Sequence, residues 1–157
     1  MEPMTTTVGP ALLDPSLFIP ELKTRRKPSV LQELVAHATR AGAVRVPTVL
    51  CDTLLLRERL FGTGIGKGVA VPHARSIAVT EPRLVVARSR RGIAWDAADG
   101  LPVHLVLLVL SPAESGEEAH AEFVSRTAAA GRLQRNRTRL LEAGCFGEIA
   151  EVFAERP

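Results

Sequence analysis

Apolar side chains recur along this chain at two spacings, one typical of amphipathic helices and one typical of buried strands. The first helical spacing lies between Ser29 and Gly42, where apolar residues return every three to four positions. We expect Ser29 to cap this helix, Gln32 to complete a capping box and Gly42 to end it. The expected buried face consists of Val30, Leu31, Leu34, Val35 and Ala38.

A second helix is expected directly afterwards, because Pro47 suits the first position of a helix. The same spacing continues as far as Gly62, which we expect to end the helix. Cys51 falls on the inward side of this pattern and is expected to pack there. The recurring positions are Val49, Leu50, Thr53, Leu54, Arg57 and Leu60.

Short continuous apolar runs predict the strands. Residues 84–88 and 103–110 form two such runs, and the second is almost wholly apolar, as expected of a strand covered on both faces. Shorter strands are expected at 69–71 and at 17–22, the latter an edge strand interrupted by Pro20.

The rest of the pattern defines the fold class. Helical sequence fills most of 118–155, with breaks expected near Gly131 and Gly144. The chain has 157 residues, 46% of them hydrophobic and few of them aromatic, which suffices for one aliphatic core. We therefore expect a single α/β domain over 15–157, with a sheet flanked by helices, behind a flexible leader over 1–14.

The charge distribution gives little support for nucleic-acid binding. The formal net charge is only +3, and the basic clusters at 23–27 and 88–91 lack interleaved aromatic residues for base stacking. We interpret both clusters as solvated ends of strands or loops. The longest unbroken apolar run, 105–110, is far too short to span a membrane.

The cysteines and histidines carry no metal motif. Cys51 and Cys145 have no metal-type spacing, and two cysteines do not make a disulfide framework in a chain of this length. No secretory segment is recognisable at the amino terminus. We therefore expect a reduced, cytoplasmic protein without a bound metal, and not an integral membrane protein.

Four glycines in residues 62–68 suggest a phosphate-binding loop, but their spacing does not fit one. A P-loop has four residues between its first glycine and the Gly-Lys pair, whereas three separate Gly62 from Gly66-Lys67. The dinucleotide fingerprint also fails, because no glycine stands three positions after a Gly-x-Gly pair. We therefore expect no nucleotide cofactor.

The glycine loop leads through a short strand to Pro72 and His73. Since the pKa of a histidine lies near neutrality, His73 can act as a nucleophile at cytosolic pH, and a purely hydrogen-bonding role in a turn fits the local sequence equally well. For Arg57, pairing with Glu58 competes with phosphate binding. The local sequence alone favours solvated, structural and surface roles for His37, His104 and His120, respectively.

Residues 57–75 carry the most specific motif of the chain. They closely resemble the phosphorylation site of enzyme IIA proteins of the fructose–mannitol type, a site that the nitrogen-regulatory IIA proteins share. Residues 93–106 resemble the turn and the following core strand of the same family. Ser111-Pro112 and then His120 fall where the family places its second active-site histidine, so that the resemblance covers roughly 16–155. The motif reads Arg57-Glu58 and then Thr63-Gly64-Ile65-Gly66-Lys67-Gly68-Val69-Ala70-Val71-Pro72-His73-Ala74-Arg75.

This resemblance implies a mixed β-sheet flanked by helices and the role of a phosphocarrier. The small carrier HPr would donate a phosphoryl group to His73, Arg57 would stabilise that group, and His120 would be the second active-site histidine. A IIB domain or a regulatory target would accept the group. Transfer between imidazoles requires positioning and charge balance rather than a metal or a nucleotide. The sequence leaves open the sugar, the regulated target and the ring nitrogen that reacts.

One segment departs from the family pattern and supports an alternative function. The helix after His120 is usually leucine-rich, but residues 123–131 are mostly small, and Gly131 costs a helix about 1 kcal/mol relative to Ala. We expect this helix to be short, broken or packed against a partner. The alternative is a non-catalytic binding module that docks on a kinase, transporter or regulator, in which case the protein is no enzyme. The intact residues 57–73 favour phosphotransfer, and the lack of a fused IIB or IIC portion favours regulation over sugar transport.

Overall fold

A computed structural model describes residues 12–154, so most of the expected leader lies outside the described part of the chain. A short 3-10 turn at Pro15–Leu17 precedes the first strand. The strands are β1 (Phe18–Ile19), β2 (Gly64–Gly66), β3 (Val69–Ala70), β4 (His73–Ser76), β5 (Arg83–Ile93) and β6 (Val103–Pro112). The helices are α1 (Lys27–Arg40), α2 (Pro47–Leu60), α3 (Glu117–Arg132), α4 (Gln134–Glu142) and α5 (Phe146–Ala154).

The strands form one mixed sheet in the order β1-β5-β6-β3-β2. Strand β5 is antiparallel to β6, whereas β3 and β4 both run parallel to β6. Strand β4 continues the line of β3 along the same side of β6, after Val71 and Pro72. The expected α/β fold with a mixed sheet between helices is confirmed, and β1 is the expected edge strand.

The two faces of the sheet are covered by different helices, and the alternation along β6 shows which residues face which layer. Val106, Leu108 and Leu110 pack in the cluster that contains the buried residues of α1 and α2. Leu105, Leu107 and Val109 pack in the cluster that contains those of α3, α4 and α5. From Leu105 onward, a residue at an odd position of β6 therefore faces α3, α4 or α5.

The first helix begins earlier than its capping residues predict. It starts at Lys27, with Pro28 in its first turn and Arg26 as N-cap, so Ser29 lies inside the helix and caps nothing. Arg26 also pairs with Ala94 in a parallel bridge. This pairing fixes the backbone just before the helix, which therefore starts two residues before Ser29. The expected buried face is confirmed, and Gly42, at φ +82°, follows the end of the helix.

The second helix begins at Pro47 as expected, but its buried face is narrower than predicted. Only Leu50 and Leu54 are buried, whereas Val49 is 40% and Leu60 is 64% exposed. Because α2 packs against α1 and β4 at the side of the sheet, only one narrow stripe of it touches the core.

The small residues of α3 do not break the helix. It runs for 16 residues and includes Gly131, which is buried against the sheet. A Cβ at Gly131 would lie 3.2 Å from a methyl of Val69 and 3.4 Å from one of Leu107. The expectation of a short or broken helix was therefore wrong: small residues let α3 approach the sheet closely, and the chain breaks after it, at Leu133.

Strands β5 and β6 are longer than predicted, and one basic residue of β5 is held by hydrogen bonds to other segments. Beyond Arg88 the register of β5 shifts, and the strand continues to Ile93. Arg88 donates hydrogen bonds to the carbonyl oxygens of Pro20, Leu140, Leu141 and Ala143. The interpretation of residues 88–91 as a solvated loop end was therefore wrong for Arg88, which ties β5 to the end of α4.

Within residues 12–154, no helix has the length and apolar character that crossing a membrane requires.

Candidate active site

His73 stands where the chain passes from β3 to β4 beside the central strand β6. Its partner across the ladder is Val109, and it shares the alternation of Val69 and Val71, which pack on the α3 side of the sheet. His73 therefore projects toward α3. Pro72 between the two strands has no N–H to contribute, and its carbonyl oxygen accepts from Val109 N.

One ring nitrogen of His73 is already engaged. Its Nδ1 lies 2.9 Å from the carbonyl oxygen of Val71, and because a carbonyl can only accept, Nδ1 carries the proton. The neutral ring then has its lone pair on Nε2. Burial lowers the pKa of His73, the bond to Val71 opposes that shift, and nearby Arg57 lowers the pKa further. The ring is accordingly neutral at pH 7, with Nε2 as the nucleophilic atom.

His120 lies in the first turn of α3, beside His73. The two ring centroids are 5.8 Å apart and the rings are inclined by 47°. Burial, followed by the proximity of His73, Arg57 and Arg75, lowers the pKa of His120 to about 4. Its Nδ1 lies 2.7 Å from Oγ of Ser111, whereas its Nε2 is buried without a hydrogen-bond partner among the described residues. An unpaired buried polar atom costs about 1–3 kcal/mol, so a ligand that bonds to Nε2 would relieve this cost.

Arg57 is an exposed residue in the last turn of α2, on the rim of the same site. The local pairing with Glu58 that its sequence position suggests does not occur. Glu58 instead binds Lys27 at 3.2 Å and accepts a short hydrogen bond from the hydroxyl of Thr63. The Glu58 carboxylate thus anchors the start of the glycine loop, and no hydrogen bond or ion pair within residues 12–154 engages the Arg57 guanidinium.

A cavity of about 430 Å³ opens between the glycine loop and α3 and exposes His73. Most of its walls are apolar, and its two cationic side chains are Arg57 and Arg132. Such a cavity suits an anionic group carried on an apolar surface. Its lining residues are Arg57, Phe61, Gly62, Thr63, Ile65, Val71, His73, Val124, Ser125, Ala128 and Arg132.

Three residues of this site were given no role by the sequence analysis, although Arg75 and Ser111 stand in its matched segments. Ser111 and Arg75 could have been found from strand alternation, since Ser111 shares the face of Val109 and Arg75 shares the face of His73. Arg75 donates to the carbonyl oxygens of Ala113 and Ser115 and so holds the loop that leads into α3. For Arg132 there was no sequence signal, because only the packing of α3 brings it to the cavity.

The other two histidines have local roles. His104, near the start of β6, has its Nδ1 2.9 Å from the carbonyl oxygen of Ser89, as expected of a structural residue. His37 lies in the last turn of α1, where its Nδ1 is 3.3 Å from an Arg40 nitrogen. Neither residue lines the cavity beside His73.

The arrangement brings together a nucleophile, a cation and a second imidazole. Nε2 of His73 can attack an electrophilic phosphorus, the forked guanidinium of Arg57 matches phosphoryl oxygens, and His120 offers a buried ring nitrogen beside them. All three residues that the sequence singled out lie at this one end of the sheet.

Comparison with known proteins points to one family. Residues 11–156 match the family model described as "Phosphoenolpyruvate-dependent sugar phosphotransferase system, EIIA 2". The chain is 36% identical to the fructose-specific EIIA component of Haloferax volcanii, over 82% of this chain and 83% of that protein. It is 32% identical to the fructose-specific EIIABC component of Bacillus subtilis, over 83% of this chain but only 20% of that protein.

The fold is shared with a solved structure of the same kind. The crystal structure of the nitrogen regulatory protein IIA-Ntr from Neisseria meningitidis superposes with a TM-score of 0.83 at 26% identity. The match covers 92% of this chain and 97% of that one.

Proposed function

This chain belongs to the EIIA 2 family of the phosphoenolpyruvate-dependent sugar phosphotransferase system, and from that premise we propose that it carries its phosphoryl group on Nε2 of His73. A phosphocarrier role follows from the family. The observation that carries the atomic assignment is the hydrogen bond from Nδ1 of His73 to Val71, which leaves Nε2 as the nitrogen with a lone pair.

The proposed donor is phosphorylated HPr, a small carrier with a phosphohistidine. The lone pair of Nε2 attacks the phosphorus while the nitrogen–phosphorus bond to the donor imidazole breaks, and the departing imidazole keeps the electron pair. The phosphorylated His73 ring then carries a positive charge next to a dianionic phosphoryl group. Nδ1–H remains bonded to the carbonyl of Val71, an acceptor that stabilises the charged ring.

Arg57 and His120 have distinct proposed roles in this transfer. Arg57 directs its guanidinium toward the phosphoryl oxygens, a role supported by the lack of a hydrogen bond or ion pair to it within residues 12–154. His120, a neutral ring at pH 7 beside His73, supplies a further hydrogen bond to that group. Because one nitrogen–phosphorus bond replaces another, positioning and charge balance suffice, with no metal or nucleotide.

The proposed acceptor is a IIB domain or a regulatory target, and the exchange takes place in the cytoplasm. The name of the B. subtilis relative, an EIIABC component, supports a IIB acceptor. The likeness to a nitrogen regulatory protein supports a signalling role. The continuous α3 removes the observation that favoured a non-catalytic binding module, so we propose phosphotransfer as the function.

The test is phosphoryl transfer from phosphoenolpyruvate through enzyme I and HPr, read by intact-protein mass under alkaline conditions. We expect one added phosphoryl group on the wild type and on His37→Ala, and none on folded His73→Ala. A phospho-protein that then loses its group to an added IIB domain would establish the acceptor. No uptake from HPr of the same organism would overturn the phosphocarrier proposal in favour of the binding module.

A further inference from the structure

Ser111 is buried beside the candidate active site and touches its second histidine. It lies near the carboxyl end of β6, only 2% exposed, on the face that α3 covers. Its Oγ is 2.7 Å from Nδ1 of His120, nine residues later in the chain. The two atoms join the end of the central strand to the first turn of α3.

The direction of this hydrogen bond follows from the needs of the hydroxyl. Ser111 Oγ–H is a donor, and Nδ1 of His120 is its one hydrogen-bond partner among residues 12–154. If Nδ1 carried the proton, the buried hydroxyl proton would have no acceptor. Donation from Ser111 to Nδ1 satisfies both groups, and the neutral ring then has its proton on Nε2.

We propose that Ser111 is a positioning residue that holds His120 as the Nε2–H tautomer, so that this N–H donates to a phosphoryl oxygen on His73. The proposal rests on the proposed phosphocarrier function of His73. It accounts for the buried Nε2 without a partner: its acceptor arrives with the phosphoryl group.

The opposite tautomer would act against transfer. A lone pair on Nε2 would face the negatively charged phosphoryl oxygens, and the hydrogen bond would become a repulsion. At pH 7 the His120 ring does not carry both protons, since burial and the nearby His73, Arg57 and Arg75 lower its pKa and keep it neutral. One of the two neutral tautomers must therefore be present. The hydroxyl of Ser111 is therefore the group that selects the tautomer.

Arg75, on the neighbouring strand β4, stabilises this arrangement of Ser111 and His120. It is the ladder partner of Ser111, and it binds the carbonyl oxygens of Ala113 and Ser115 at 2.9 and 3.0 Å. An ion pair with Glu117 at 3.4 Å reaches the first residue of α3. The segment between Ser111 and His120 is thus fixed at both its start and its end.

The first test is a nitrogen-15 NMR spectrum of the histidine rings at pH 7, without any phosphoryl donor. We expect His120 to show the Nε2–H tautomer in the wild type and in Ser111→Thr, which keeps a hydroxyl. Ser111→Ala should give a mixture of tautomers. Ser89→Ala, the loss of an equally buried hydroxyl on the neighbouring strand, should leave the His120 signals unchanged.

The second test measures transfer from phospho-HPr to the same variants. We expect Ser111→Ala to lower the transfer rate about tenfold with an unchanged KM for phospho-HPr, and Ser111→Thr to restore it. An Nδ1–H tautomer in the wild type, or a tautomer and rate unaltered in Ser111→Ala, would overturn the proposal. If Ser111→Ala does not fold, the wild-type tautomer decides. Failure of the phosphocarrier function would appear as no transfer to any variant, with the tautomer result intact.

Discussion

The side chains beside the two ends of strand β6 include histidines and arginines, and the two groups differ in whether their polar atoms have hydrogen-bond partners. At the carboxyl end, Arg57 lacks a hydrogen bond or ion pair within residues 12–154, and His120 has a buried nitrogen without a partner. At the amino end, Arg88 has four carbonyl acceptors and His104 binds Ser89. The same residue types thus form a site with unpaired polar groups at the carboxyl end, which we call unsaturated. At the amino end they form a hydrogen-bonded contact between chain segments, which we call the saturated joint.

The presence or absence of hydrogen-bond partners distinguishes a contact that stabilises the fold from a group that remains available to a ligand. A saturated polar group stabilises the fold and has nothing left to offer a ligand, whereas an unsaturated buried group costs stability until a ligand arrives. Among the described residues, a second buried side-chain atom without a partner is Nε1 of Trp95, whose ring lies beside Gly64 of the glycine loop. Both unpaired atoms therefore belong to residues near elements that border the site.

The largest expected effect is on transfer when the unsaturated arginine is removed. We expect Arg57→Ala to slow transfer from phospho-HPr on the order of a hundredfold, since it removes a charged donor to the phosphoryl oxygens. Its free energy of unfolding should stay within about 0.5 kcal/mol of wild type, because the Arg57 side chain is exposed and makes no hydrogen bond or ion pair with the described residues. The matched control is Arg59→Ala, an exposed residue of the same helical turn that does not line the cavity. Equal rates for the two variants would remove the role assigned to Arg57.

Replacement of Arg88, the hydrogen-bonded arginine, should affect stability and not transfer. We expect Arg88→Ala to lower the free energy of unfolding by about 2–3 kcal/mol, since it deprives the carbonyls at the end of α4 of their donor and also removes the guanidinium from Phe18. Transfer per folded molecule should be unchanged. Urea denaturation measures the first quantity and a transfer assay the second. A stable but inactive Arg88→Ala protein would contradict the comparison between the two ends.

A smaller effect is expected from pH. The pKa of His120 is about 4 in the folded chain and 6.5 in the unfolded chain, so between these values the unfolded chain binds a proton that the folded chain does not. The free energy of unfolding should therefore fall as pH decreases from 6.5 to 4, by on the order of 1 kcal/mol after discounting for solvent screening of the half-buried ring. His120→Gln should lose less stability over this window in denaturant titrations. Parallel losses in both proteins would show that His120 does not titrate there.

The smallest expected effect concerns the surface of the saturated end. Both carboxylate oxygens of Glu21 accept from the backbone N–H of Arg90, at 3.0 and 3.1 Å. Because the contact is exposed, we expect Glu21→Ala to cost only about 0.5–1 kcal/mol in urea denaturation and to leave transfer unaltered. A loss as large as that of Arg88→Ala would mean that the joint depends on Glu21 as much as on Arg88.

The periodic elements of the fold were predictable because each is defined by neighbouring residues. The buried face of α1 and the apolar strand β6 follow from spacing alone. The start of α1 did not follow, since the bridge between Arg26 and Ala94 joins residues far apart in the chain. The narrow buried face of α2 likewise depends on where the helix sits beside the sheet, which spacing cannot express.

The residues of the candidate site likewise divide into those that neighbouring residues predict and those that depend on the tertiary structure. The motif around His73 is contiguous, so resemblance identified it together with Arg57 and suggested His120. Ser111, Arg75 and Arg132 were given no role because their relevance comes from strand register and from the packing of α3. Gly131 was misinterpreted for the same reason: its value lies in the close approach to Val69, a residue 62 positions earlier.

The sequence by itself determined the fold class, the family and the histidine at the centre of the site, because these depend on local spacing and a contiguous motif. Only the tertiary structure decided which polar groups are satisfied. The acceptors around Arg88 lie on segments as far as 68 residues away in the chain, so its hydrogen bonds cannot be read from neighbouring residues. Whether a side chain stabilises the fold or remains available to a ligand thus depends on hydrogen bonds and burial that exist only after the chain has folded.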